Sequence, residues 1–203
     1  MAELSAKDIK SLRDRTGAGM LDCKAALEAS AGDLDKATVW LREHGIAKAA
    51  KRMDRTTGNG VIEAYLHRTG DYPPQNGVLL ELNSESDFVA KGEDFRKLAR
   101  EIALHIAASA PRWISREEVP EAIVNAEREI YRNKAIEDGK PAAALEKIVA
   151  GQVEAFYKDN CLLDQPYVRD PKTSVGDLIK EHIGKLQENI SVRRFSRFNI
   201  KEA

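Results

Sequence analysis

Apolar residues in the first quarter of the chain recur at helical spacing in short blocks separated by glycines. Ser5 followed by Asp8 resembles a capping box and starts a helix with Ile9 and Leu12 on one face. Gly17 and Gly19 end it. A second helix covers roughly Met20 to Ala29, with Leu21, Ala25 and Leu27 available to a core. Gly32 breaks the chain, and Asp33 caps a third helix carrying Leu34, Ala37 and Leu41. This pattern predicts a small three-helix bundle, followed by an Ala- and Lys-rich helical linker from Ile46 to Arg52. Residues 1–53 therefore read as an N-terminal helical domain with its linker, and 54–203 as a second, core domain.

Beyond residue 55 the period changes from helical to alternating. Thr56-Thr57-Gly58-Asn59-Gly60 is a turn signal. Two β-rich runs, Val61 to His67 and Val78 to Asn83, flank the loop Asp71-Tyr72-Pro73-Pro74-Gln75-Asn76-Gly77 and predict a hairpin. Ile190 to Ile200 is also strand-like, with Ile190, Val192, Phe198 and Ile200 on one face by period two, and fits as a third antiparallel strand. Helices fill the middle. Glu93 to Ser109 puts Phe95, Leu98, Ile102 and Ile106 on one stripe and stops before Pro111. Ser115 and Glu118 cap a helix with Pro120 in its first turn, running to Asp138 and ending at Gly139-Lys140-Pro141. Another runs from about Ala142 to Asn160. The two predict an antiparallel helical hairpin, about 117–160, projecting from the body. Ser174 with Asp177 starts a last helix to about Leu186. The fold class is α+β, mostly helical, with a three-stranded antiparallel sheet in the core.

Charge narrows the function classes. The 203 residues carry 32 Lys and Arg against 33 Asp and Glu, a formal net charge of -1. A duplex-DNA or ribosomal-RNA binder draws most of its affinity from phosphate contacts and carries a basic excess. Two short basic runs, Lys48/Lys51/Arg52/Arg55 and Arg193/Arg194/Arg197, read either as ordinary surface or interface charge or as an RNA-binding footprint. Cys23 and Cys161 are far apart, with no CxxC or Cys/His spacing for zinc, and so few cysteines fit a reducing compartment. No stretch approaches the ~20 apolar residues of a membrane span, and MAELSAKDIK has no apolar signal core, so a cytoplasmic location is expected.

No motif of reaction chemistry stands in the sequence. Gly17-Ala18-Gly19-Met20-Leu21-Asp22-Cys23-Lys24 lacks the glycine before the lysine and the Ser/Thr after it, and lies between helices rather than after a strand. It reads as a helix C-cap and tight turn. His44, His67, His105 and His182 show no metal-ligand spacing, and there is no GxSxG. No cofactor and no enzymatic activity are expected. His105, three residues after Ile102 at the edge of the apolar stripe, is either a core-edge histidine or a surface contact. The most unusual segment is Asn83 to Lys91, a loop between a strand and a helix with Asp87 beside Phe88. Loops on rigid scaffolds carry function, but Phe88 also reads as a core plug and Asp87 as a helix cap.

Several segments resemble one family. Arg15-Thr16-Gly17-Ala18-Gly19-Met20-Leu21-Asp22-Cys23-Lys24-Ala25-Ala26-Leu27 is similar to the N-terminal signature of the elongation factor Ts family. Glu85-Ser86-Asp87-Phe88-Val89-Ala90-Lys91 is similar to its second signature, where Thr is usual in place of Ser86 and Cys is common in place of Ser84. Ile106 to Ser109, Gly139-Lys140-Pro141, Leu162 to Val168 and Ile190 to Phe195 follow in the family's order. The resemblance implies an N-terminal ubiquitin-associated-like domain, and an α+β core with a projecting helical hairpin. It implies a non-enzymatic guanine-nucleotide exchange factor that binds elongation factor Tu and promotes GDP release. Ser86, Asp87, Phe88 and Val89 match the segment that dislodges Mg²⁺ from that GTPase. Lys24 and His105 match further contacts to its G domain. The chain is similar to the short form with one core subdomain, whose members can form homodimers. A protein-interaction adaptor, with Phe88 merely structural, is the competing class.

Overall fold

The computed structural model describes residues 5–200. Three N-terminal helices, α1 (Ala6–Thr16), α2 (Met20–Ala29) and α3 (Leu34–Ala50), precede the strands β1 (Asn59–His67) and β2 (Asn76–Ser84). The one-turn α4 (Asp87–Ala90) leads into α5 (Glu93–Ser109). Next come α6 (Glu121–Glu137), α7 (Ala142–Asn160), the short strands β3 (Pro166–Tyr167) and β4 (Asp170–Ser174), α8 (Val175–Leu186) and β5 (Ile190–Asn199). The long strands form a three-stranded antiparallel sheet in the order β1-β2-β5, so the architecture is mostly helical α+β. β3 and β4 pair antiparallel in a separate two-stranded sheet. That sheet is not foreseen above, because two residues beginning with a proline carry no periodic signal.

By contact density the chain divides into two compact units. One contains the chain through Glu63, Leu80–Arg100 and Asp177–Arg193; the other contains Ala64–Leu79, Glu101–Gly176 and the chain from Arg194.

In the first unit, Ser5 caps α1 by accepting from the Asp8 N–H at 3.1 Å while its hydroxyl donates to the Asp8 carboxylate at 2.7 Å. Gly17 closes α1 in the left-handed region at φ 68, its N–H on the Arg13 carbonyl. Leu12, Cys23, Ala26, Leu27 and Ala37 form a buried cluster, packed by Ile9, Leu34, Trp40 and Leu41. Leu21 departs from its expected core position and is 84% exposed. Cys23, Ala26 and Leu27 set the inward stripe of α2 at spacings of three and four, which turns position 21 outward. The third helix and most of the helical linker expected after it are one helix: α3 continues through Gly45 to Ala50, since one glycine weakens a helix without ending it. Leu80, Leu82, Phe95, Leu98, Ile179, Ile183 and Ile190 are buried in this unit.

In the second unit, Ile102, Ala103, Ile106 and Ala107 continue the buried stripe of α5. α6 and α7 form the expected helical hairpin around Val124, Val149, Val153 and Phe156, with Val119 and Cys161 in the same cluster. Its start differs from expectation. Arg116–Glu118 is a separate 3-10 turn, Ser115 makes no side-chain cap bond, and Pro120 occupies the N-cap of α6. Glu118 instead accepts from the Ile114 N–H at 2.9 Å. A residue preceding proline is pushed to extended geometry, which separates the turn from the helix. In β5 the alternation of exposure changes phase at Arg193–Arg194, both exposed. Phe198 and Ile200, expected on one face with Ile190 and Val192, are therefore 71% and 76% exposed while Ile190 is 3%.

Candidate functional site

A four-residue helix cannot sustain itself, because fixing the first turn costs more than its hydrogen bonds return. α4 is held from outside. Ser86 is extended (φ -120, ψ 153) and its Oγ accepts from the Val89 N–H at 3.3 Å, so Ser86 rather than Asp87 is the cap. The Ser86 hydroxyl donates to Glu188 Oε1 at 2.5 Å and its backbone N–H donates to Glu188 Oε2 at 2.9 Å. Ser84, fully buried, donates its hydroxyl to the Ser86 carbonyl at 3.0 Å. Glu85 is fixed at both ends. Its carbonyl accepts from Asn59 Nδ2 at 2.8 Å, and its Oε1 accepts from the Asn189 N–H at 2.7 Å and from Arg55 Nη1 at 3.4 Å.

On this fixed turn Ala90 points inward, 3% exposed, and Phe88 points out, 87% exposed. That disposes of the core-plug reading of Phe88. An isolated surface aromatic is unremarkable, but here a dense polar network holds the backbone beneath a ring that the other described residues leave in solvent. Asp87, at the first helical position, pairs with Lys91 Nζ at 2.6 Å across one turn, and both side chains are largely exposed. Such a solvated pair contributes little, so a partner could take Asp87 at small cost. Val89 is half-buried.

Lys24 lies on the outward face of α2. It pairs with Glu28 at 3.9 Å, and both are more than half exposed. Met20 and Leu21, four and three residues before it, are 56% and 84% exposed and share that face. The cation thus stands beside an apolar patch. Counting the helical period from Cys23 rather than from Leu21 would have found it.

His105 belongs to the second unit and is fully buried. Its Nδ1 accepts the Val168 N–H at 3.2 Å, and its Nε2 meets Gln165 Oε1 at 2.9 Å. Gln165 Nε2 donates to the Ser109 and Asp159 carbonyls at 3.3 and 2.8 Å, which fixes the orientation of its amide. Burial holds the imidazole pKa below its ordinary value, with the Gln165 bond opposing. Tyr167 donates to Glu101, which also pairs with Arg169 at 2.8 Å; burial and then that bond raise the phenol pKa. Of the two sequence readings of His105, the buried one describes this chain. The exposed residue that its network presents is Val168, at 42%.

The structure thus gathers Ser86, Asp87, Phe88 and Val89 on one clamped turn, puts Lys24 on an exposed helix face, and buries His105. Glu188 and Asn189 escape sequence reasoning, and Glu85 stands there only as a member of a motif. Glu188 lies 102 positions from Ser86, and no local pattern marks it. Among the described residues no helix is long and apolar enough to cross a membrane.

The family model described as Elongation factor TS matches residues 42–202. The curated Elongation factor Ts of Fervidobacterium nodosum is 50% identical over 200 residues, covering 98% of this chain and 100% of its own length. That of Caldanaerobacter subterraneus subsp. tengcongensis is 51% identical over 199 residues, with 98% of both chains covered. That of Frankia casuarinae is 52% identical over 204 residues, with 100% of both covered.

Proposed function

The chain belongs to the elongation factor Ts family of translation elongation factors, and on that premise we propose that it is the guanine-nucleotide exchange factor of elongation factor Tu. It binds the GDP-bound GTPase, displaces Mg²⁺ and promotes GDP release in the cytoplasm, as a non-enzymatic factor with no cofactor of its own. The observation that carries this reading is Phe88, 87% exposed on a turn fixed from outside.

In this reading Phe88 inserts as an apolar wedge between side chains of the partner's G domain. A buried aromatic anchor is the kind of contact that dominates an interface. Asp87 leaves Lys91 and holds the adjoining helix of the partner in its displaced position, with Ser86 and Val89 completing the segment. The GTPase's Mg²⁺ bridges the nucleotide phosphates and a loop hydroxyl, so moving its supports removes a large favourable charge interaction. Lys24, with Met20 and Leu21, forms a second contact. His105 contributes through the Tyr167–Val168 segment that it holds rather than by touching the partner itself. Binding is linked to nucleotide: whatever factor by which this chain weakens GDP binding, GDP weakens binding of this chain by the same factor. A ten-thousandfold acceleration of release corresponds to a barrier lower by about 5.5 kcal/mol.

The homodimer of the short form is part of the same proposal. In the second unit Leu66, Leu79, Phe198 and Ile200 are each at least half exposed and line one groove with Pro74 and Val78. A second copy would cover this uncharged surface, and Phe198→Arg should shift sedimentation from dimer to monomer. Residues 1–53 belong to the same proposal as an N-terminal domain of the ubiquitin-associated-like type with its linker helix, testable by expressing that segment alone.

The deciding experiment follows release of a fluorescent GDP from elongation factor Tu at fixed Mg²⁺. Strong acceleration by substoichiometric amounts of this protein is expected. If the folded protein leaves the release rate unchanged, the exchange reading is wrong and the adaptor reading takes its place.

A further inference from the structure

Residues 85–86 and 188–189 exchange carboxylate-to-backbone hydrogen bonds. Glu188 Oε2 takes the N–H of Ser86 at 2.9 Å, and Glu85 Oε1 takes the N–H of Asn189 at 2.7 Å. Each segment therefore supplies a carboxylate to the residue that follows the other segment's carboxylate, which locks the two backbones at two points. Asn189, 4% exposed, extends the lock to a third stretch: its Nδ2 donates to the Met53 and Arg55 carbonyls at 2.9 and 2.6 Å. The turn that delivers Glu188 is itself set. Gln187 ends α8 in the left-handed region at φ 63, its N–H donating to the Ile183 carbonyl at 2.9 Å and its Oε1 accepting from Arg52 Nη2 at 2.5 Å.

We propose that Glu188, in this reciprocal clamp with Glu85, is the positioning residue of the Phe88 wedge. The proposal deepens the exchange reading and rests on it. The Ser86 hydroxyl links Glu188 to the wedge turn. Its proton goes to Glu188 Oε1, which fixes the rotamer and aims an oxygen lone pair at the Val89 N–H, the bond that caps α4. Charge-assisted bonds to a carboxylate are about twice as strong as neutral ones. One side chain thereby sets both the backbone entry into α4 and its cap, and with them the direction of Phe88. Neither Glu188 nor Glu85 needs to touch the partner for this.

The test combines GDP release from elongation factor Tu with amide hydrogen exchange of the free protein. Glu188→Ala should lower the release rate about tenfold, through loss of two charge-assisted bonds to the wedge turn. Glu188→Gln should recover most of that loss, because a carboxamide can accept from the Ser86 N–H and donate to its hydroxyl oxygen. In a Phe88→Ala background the Glu188→Ala change should add almost nothing, since there is no ring left to position. Amide exchange across residues 87–90 should accelerate in Glu188→Ala without any partner, while that of α6 and α7 stays unchanged. An equal further loss in both backgrounds, or unchanged exchange at 87–90, overturns the positioning role. A wild-type protein that does not accelerate GDP release overturns the exchange reading instead, and the amide measurement still judges the clamp.

Discussion

The Val168 N–H donates to Nδ1 of His105 at 3.2 Å, so that nitrogen carries no proton and the imidazole is the neutral Nε2–H tautomer, with Gln165 Oε1 accepting at 2.9 Å. A second proton on Nδ1 would face an N–H with no acceptor between them, inside a fully buried site.

This fixes the sign of a pH effect. The unfolded imidazole takes up a proton near its ordinary value of 6.5, and the folded one only at lower pH, because burial opposes its charge. Between those values the unfolded chain binds more protons, so stability falls as pH drops below about 6.5. His182, also held low by burial, acts in the same direction. Chemical denaturation at pH 7.5 and 5.5 should show this loss, and the difference between the two pH values should be smaller in His105→Gln. An equal difference in both proteins would show that His105 does not titrate with folding.

Phe88→Ala should leave the melting temperature nearly unchanged, because a ring 87% exposed contributes little burial. It should nevertheless remove most of the acceleration of GDP release. Asp87→Ala should cost less, since it removes one partly solvated polar contact together with a surface ion pair that was weak to begin with. Release kinetics for both variants check the order; a larger loss for Asp87→Ala would reverse the assignment of roles.

Leu21→Ala separates surface from core. At 84% exposure the change should alter stability by no more than about 0.5 kcal/mol. Leu27→Ala, in the buried cluster of the same helix, should cost about 2–5 kcal/mol. If α2 presents Met20, Leu21 and Lys24 to elongation factor Tu, Leu21→Ala should also weaken the complex in a titration calorimetry experiment. Unchanged affinity would leave Lys24 without its apolar neighbours in the interface.

Both thiols should be silent in the folded chain. Cys23 and Cys161 are fully buried and unpaired, and burial pushes the Cys161 thiol up to about 11 and raises that of Cys23. A thiol reagent at neutral pH should react with neither in native protein and with both after denaturation, because the attacking species is the thiolate. Rapid reaction of the native protein would contradict the buried placement.

Much of this molecule is determined by local rules acting on a few residues at a time. Ser5, Gly17 and Asp33 mark helix ends through caps and left-handed turns, and the stripe from Phe95 to Ile106 could bury only one face of a helix. The segment Ser86 to Val89 stands out in the sequence as a motif, but its meaning there is open, since a phenylalanine in a loop can plug a core or face a partner with equal local propriety. Tertiary structure decides that question through Glu188 and Asn189, which arrive from the far end of the chain to clamp the turn and leave Phe88 outside. It decides the burial of His105 likewise, through Gln165 and Val168, sixty and sixty-three positions away. It also sets the outward face of α2, where packing around Cys23, Ala26 and Leu27 overrides the apolar character of Leu21. The reason is common to all three. Periodicity and capping are read within one or two turns of chain, whereas which face is covered and which polar groups find partners depend on segments that only folding brings together.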